Sequence, residues 1–194
     1  MRFFKSKGQT LVSLKKKQIN IPLTLLISVD NFLKRTDKYL NQISKKFKNK
    51  KIAVRSSSNN EDNLKTSNAG KFKTYLNIDP NNSVEVLSKI WGVIKSYKQQ
   101  SNQNEVIIQE MVEHVKISGV YTTIDIHNYL PLININYDES SDTTSVTSGK
   151  NNSKTLFIFE EKIKKSKIKK FSSLINVVNK IKKISKNNIL DIEF

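Results

Sequence analysis

No apolar stretch in this chain is long enough to cross a bilayer, yet short ones recur along its whole length. The longest lie around Ile21 to Val29 and Leu130 to Ile135, well short of the roughly 18–20 residues a spanning helix needs. Runs such as Ile52-Ala53-Val54 and Val106-Ile107-Ile108 alternate with segments whose apolar residues return every three or four positions. That pattern asks for short strands packed under amphipathic helices. With 194 residues, 37% of them hydrophobic, the chain can bury a core of its own, and the recurring runs exclude wholesale disorder. Met1-Arg2-Phe3-Phe4-Lys5 has charge but no apolar segment behind it, so no signal peptide is expected and a cytoplasmic location is. The absence of cysteine excludes disulfide frameworks, thiolate metal sites and cysteine nucleophiles. The two histidines, His114 and His127, stand in unrelated contexts and do not suggest a histidine-rich metal site.

The chain has 34 Lys plus Arg against 17 Asp plus Glu, a net charge of +17. Such a balance invites a nucleic-acid reading, because phosphate neutralisation dominates non-specific affinity. The distribution argues against it. The arginines are Arg2, Arg35 and Arg55 alone, so planar forks for bases or phosphates are scarce. The lysines sit in four runs, Lys15 to Lys17, Lys45 to Lys51, Lys162 to Lys170 and Lys180 to Lys186. Two of these lie on segments of helical periodicity, where a solvated face accounts for them, and no modular nucleic-acid signature is present.

Read along its length, the chain opens with a short helix over Gly8 to Lys17, ended by Asn20-Ile21-Pro22. A buried strand comes next, over Leu23 to Val29. Asp30 is the expected N-cap of a helix to about Phe47, with Phe32, Leu33, Tyr39, Leu40 and Ile43 on its apolar face. Lys51 to Arg55 reads as a strand giving way to a long polar loop from Ser56 to Gly70. Phe72 to Ile78 alternates as a strand. Ser83 is placed to cap a helix whose face gathers Val84, Leu87, Ile90, Trp91, Ile94 and Tyr97. Glu105 to Val112, Ile117 to Ile126 and Leu130 to Tyr137 read as three successive strands, before a second polar loop from Asp138 to Asn152. Thr155 to Phe159 is a strand, Ile168 to Ile184 an amphipathic helix, and Ile189 to Phe194 a last strand. The predicted class is α+β.

Four pieces of this pattern carry chemistry. Arg55 stands at the end of an apolar strand where a hydroxyl-rich segment begins, and a guanidinium beside serine hydroxyls and free amides suits a polyphosphate. The alternative is a surface loop whose arginine pairs with Glu61 or Asp62. Lys7-Gly8 opens a helix, which puts an ammonium and a permissive backbone at a helix's positive end. Gln109-Glu110-Met111-Val112 ends a strand and can offer groups to a nucleobase, or be a plain core strand with a polar tip. Asp191 and Glu193, two apart on a strand, share a face suited to a hard cation such as Mg²⁺, or to solvent.

In this order the four pieces resemble the ATP-grasp-type nucleotide-binding domain of the phosphoenolpyruvate synthase and pyruvate phosphate dikinase family. Ser6-Lys7-Gly8-Gln9-Thr10-Leu11 is similar to the family's opening glycine–lysine–glycine element, with Ser6 in place of the first glycine. Ala53-Val54-Arg55-Ser56-Ser57, Glu61-Asp62, Ala69-Gly70 and Thr74-Tyr75-Leu76-Asn77 resemble its central signature with the spacing kept. Val106 to Val112 with Ser118-Gly119-Val120 and Thr123 resembles a strand-pair motif, and Asp191-Ile192-Glu193-Phe194 its closing acidic motif. The family's glycine-rich stretch is replaced by Asp138-Glu139-Ser140-Ser141-Asp142-Thr143, and only Ser148-Gly149-Lys150 echoes the family's valine–serine–glycine–lysine run.

The resemblance implies an ATP-grasp-like, two-lobed α+β domain over residues 1–194, with approximate lobes 1–100 and 101–194. It implies ATP and Mg²⁺ as ligands, with Lys7 and Arg55 as the catalytic pair on the ATP phosphates. Gly70 and Thr74 would line the phosphate side, Gln109 would lie near adenine or ribose, and Glu193 would hold Mg²⁺. The family moves a phosphoryl group from ATP to a histidine on a further domain, and neither His114 nor His127 resembles that motif. A separate chain carrying phosphohistidine and pyruvate-binding domains is therefore the expected partner, a nucleotide-binding relic or regulatory module without turnover being the alternative.

Overall fold

The computed structural model describes residues 6–58, 73–97, 104–125, 130, 132–140, 153–159, 169–186 and 189–194. Gly70, Glu61, Asp62, His127 and Gly149 lie outside the described residues. The chain divides into two compact units, Met1–Val112 and Glu113–Phe194.

The first unit holds a four-stranded antiparallel sheet in the order β1-β4-β2-β3, made of Thr24–Ser28, Glu105–Glu110, Ile52–Ser57 and Thr74–Ile78. Strand β4 lies inside because Val106, Ile107 and Ile108 are apolar in succession and all but fully buried, so both its faces are covered. Helices α2 (Val29–Lys34), α3 (Thr36–Lys46) and α4 (Ser83–Ile94) belong with the main core. There Phe32, Ile43, Phe47, Ile52, Val54, Ile90 and Ile108 pack together, each such side chain contributing about 1.5–3 kcal/mol relative to exposure. Helix α1 (Lys7–Lys16) lies against β1 and β4.

Several sequence expectations are corrected here. The helix expected from Asp30 to Phe47 is two helices: Ser28 caps the first by accepting from the Asn31 amide, and the chain breaks at Arg35, with φ −146° and ψ 44°. The break lets Phe32 and Phe47 both reach the core and leaves Leu33 44% exposed. Asn82, not Ser83, caps α4. The core face of α4 is Val86, Ile90, Val93 and Ile94, while Val84 is 78% and Trp91 40% exposed. Strand β2 runs on through Ser56 and Ser57, both buried, so Arg55 lies inside the strand. Strand β3 does not alternate cleanly. Val54 pairs with Tyr75 but Ile52 with Ile78, a bulge that coincides with Asn77 at φ 60° and turns both Tyr75 and Ile78 towards the core.

The second unit is another four-stranded antiparallel sheet, β7-β6-β5-β8, built from Lys154–Phe159, Leu132–Asp138, Ser118–Thr122 and Asp191–Glu193. Helix α5 (Ser172–Ser185) comes after a 3₁₀ turn at Lys169–Phe171. Phe171, Ile175 and Val178 pack on Tyr121, Ile133, Ile135 and Ile158. Strands β4 and β5, successive in sequence, belong to different sheets. β4 has already given both edges to β1 and β2, so no edge remains for β5.

Candidate functional site

Strand register organises the first unit's chemistry. Three rows cross its sheet: Ser28, Glu105 and Ser57; then Leu26, Ile107, Arg55 and Thr74; then Thr24, Gln109 and Ala53. Residues two apart on a strand share a face, and the intervening Val54, Val106 and Ile108 point into the core. Arg55, Thr74 and Gln109 are therefore carried on one face, opposite that core. Arg55 and Thr74 are direct partners across β2 and β3. Thr74 is exposed and Arg55 half-buried. The Gln109 side-chain amide donates to Thr24 Oγ1 at 3.1 Å. Backbone amides at this strand end are likewise engaged, Met111 donating to the Lys51 carbonyl at 2.8 Å.

The start of α1 sits on the same face. Ser6 caps the helix, its Oγ accepting from the Gln9 amide at 3.2 Å and donating to Glu105 Oε2 at 2.6 Å. Ser6, which the resemblance sets against a glycine, thus has its own structural task. The Gly8 amide donates to Ser57 Oγ at 2.9 Å, and Gln9 Nε2 donates to Glu105 Oε1 at 3.0 Å. A methyl group on Gly8 would lie 2.2 Å from Leu26 Cδ1 and 3.0 Å from Ser57 Oγ, so only glycine lets the helix come this close.

These contacts modify the expectation of an anion site at the helix end. The Gly8 and Gln9 amides are satisfied by serine hydroxyls, and what this end presents to solvent is the exposed Lys7. Lys7 adjoins Gly8, which touches Ser57, which stands two residues from Arg55 on the shared face. Sequence reasoning missed Glu105.

In the second unit, Asp191, Ile192 and Glu193 pair with Thr122, Tyr121 and Val120. Ile192 packs on the core, so the two exposed carboxylates share the other face. Val120 also pairs with Asn136, and Thr122 with Asn134. Asn134 and Asn136 lie on that same face, each with a buried side-chain oxygen that has no hydrogen-bond partner among the described residues. The donor set is all oxygen and suits Mg²⁺. Among the described residues no three His, Asp or Glu converge as a ready-made metal cage. Gly119 and Phe194 exchange backbone hydrogen bonds at 3.0 Å in both directions, tying the two motifs of this unit together.

The segment standing in place of the glycine-rich stretch is no phosphate cradle in its described part. Asp138 is buried and accepts from the Ser140 amide at 2.7 Å. Glu139 accepts from Lys154 and Lys170, which hold its carboxyl down to about 2.

Helices beside two antiparallel sheets, with this polar face, define a nucleotide-binding domain of the α+β, ATP-grasp-like class. The family model for the AMP/ATP-binding domain of pyruvate phosphate dikinase matches residues 26–187, and the chain belongs to that family. The matched span includes Arg55, Gly70, Thr74 and Gln109; Lys7 and Glu193 lie outside it. No curated protein matches the chain. Among the described residues no helix is long and apolar enough to cross a membrane.

Proposed function

We propose that the chain binds ATP·Mg²⁺ as the nucleotide-binding part of a phosphotransferase, and that the phosphoryl group passes to a histidine on a separate polypeptide. The observation that carries this reading is the shared face of Arg55, Thr74 and Gln109, with the Lys7 end of α1 fastened beside it. Arg55 meets the phosphates with a planar fork and Lys7 with a point charge. Thr74 and Gly70 line the phosphate side, and Gln109 contacts the base or ribose once its amide leaves Thr24. Glu193, with Asp191 on the same face of its own sheet, would hold Mg²⁺, whose charge would offset that of phosphate. Such transfer depends on positioning and charge neutralisation, which these residues supply.

A second reading, a nucleotide-binding module without turnover, is favoured by the internal pairing of Asp138 and Glu139. The test is titration with ATP·Mg²⁺ and with single- and double-stranded nucleic acid at several salt concentrations. Saturable ATP binding with weaker nucleic-acid binding supports the proposal. Tight nucleic-acid binding with a steep log–log salt slope and no ATP signal overturns it.

A further inference from the structure

We infer that Glu105 is a positioning residue that holds Lys7 in place relative to Arg55. This rests on the proposed role of those two cations at the phosphates. Three donors from two elements converge on the Glu105 carboxylate. From α1 come the Ser6 hydroxyl at 2.6 Å and the Gln9 side-chain amide at 3.0 Å; from β2 comes the Ser57 hydroxyl at 3.4 Å. The two oxygens divide them, Oε1 taking Gln9 and Oε2 both serines. Ser57 in turn accepts from the Gly8 amide at 2.9 Å. Lys7 is thus flanked by two anchored neighbours, Ser6 on the carboxylate directly and Gly8 through Ser57.

The backbone of Glu105 is held independently. Its carbonyl accepts from the Tyr97 hydroxyl, and that hydroxyl accepts from the Ser57 amide at 2.9 Å. Strands β2 and β4 are therefore clasped at this end from the α4 side whatever the Glu105 side chain is. Only an acceptor-only group with two oxygens satisfies all three donors at once. Its negative charge also complements the positive end of α1. Glutamine conserves the shape but replaces one oxygen by a donor, which faces either Gln9 or the serines. The same negative charge lies near the expected phosphates and opposes them, so the sign of the effect on affinity separates anchoring from repulsion.

The experiment is a double-mutant cycle of ATP·Mg²⁺ binding with Lys7→Ala, Glu105→Gln and the pair, alongside amide hydrogen exchange of the unliganded proteins. Glu105→Gln is expected to weaken binding about fivefold when Lys7 is present and less than about twofold when it is absent. Exchange at the Gly8 and Gln9 amides should quicken about tenfold, with Val54 and Ile108 unchanged. Equal losses with and without Lys7, or a gain in affinity, would overturn the inference. Should Glu105→Gln disturb Val54 and Ile108 as well, Glu105→Asp, which draws both carboxylate oxygens back by one methylene from Ser6 and Gln9, replaces it in the cycle under the same criteria. If the unaltered chain binds no ATP, the functional reading fails. Exchange at Gly8 then still decides the anchoring, and no change there refutes it.

Discussion

The backbone N–H of Gly8 donates to the hydroxyl of Ser57 across 49 residues of sequence, at 2.9 Å. This one bond joins the element that carries Lys7 to the strand that carries Arg55. It explains why a buried serine stands two residues beyond the arginine, and the close approach at this point, which leaves no room for a Cβ, explains the glycine after the lysine. The hydroxyl uses both its capacities there, accepting from Gly8 and donating to Glu105.

Arg55→Ala should weaken ATP·Mg²⁺ binding by roughly 10- to 150-fold, the cost of losing a charged hydrogen-bond donor. Arg55 lies on the face opposite the main core, so the unliganded melting temperature should stay nearly unchanged. Arg55→Lys should restore only part, because an ammonium lacks the fork. Calorimetric titration and a thermal scan of both variants check this. Lost stability with unaltered affinity would instead assign Arg55 to holding the loop.

Gly8→Ala sets two effects against each other. Alanine favours a helix by up to about 1 kcal/mol over glycine, but its methyl would meet Leu26 at 2.2 Å, Ser57 at 3.0 Å and Ile107 at 3.2 Å. Leu26 can turn its end aside; the strand-borne Ser57 cannot retreat as far. The steric cost, about 1–3 kcal/mol for overpacking, should win. The variant should melt earlier and bind ATP more weakly, as thermal denaturation and titration would show.

Gly119→Ala tests the second unit. Its methyl would lie 2.3 Å from the Asn136 carbonyl oxygen and 2.9 Å from the Phe194 ring, and a backbone atom cannot swing away. Destabilisation of about 1–3 kcal/mol or more is expected. It should appear as faster amide exchange in β5, β6 and β8, with β1, β2 and β4 unaffected. Uniform acceleration in both units would contradict this.

Glu110 makes stability sensitive to acid. Burial raises its pKa, but hydrogen bonds from the Leu23 amide and Lys50, with the charges of Lys50 and Lys15, more than offset that, and the net shift is downward. A carboxylate with a depressed folded pKa contributes stability that is complete above its unfolded value, near 4.5. The contribution is lost as pH falls through the folded value. Glu110→Gln should therefore melt earlier than the unaltered chain at neutral pH, the gap narrowing below about pH 4.5. Melting curves from pH 7 to pH 3 would reveal a constant gap if the pairing is immaterial.

Much of this protein was legible in one dimension. Periodicity located α1 and α5 because burial of one face leaves a repeating trace in sequence, and an unbroken apolar run located the strand that carries Arg55. The Arg55-to-Thr74 signature identified the family because its spacing is a property of the chain itself. What needed the third dimension was pairing. That Arg55 faces Thr74, that β4 lies between β1 and β2 instead of joining β5, and that Asn77 bulges β3 all depend on which edges are free once other strands have paired. The exposure of Val84 and Trp91 likewise came from where α4 could meet the sheet, which apolarity alone does not encode. Glu105 was invisible for the same reason. Its partners Ser6, Gln9 and Ser57 are scattered along the sequence, and only the fold gathers three donors around one carboxylate.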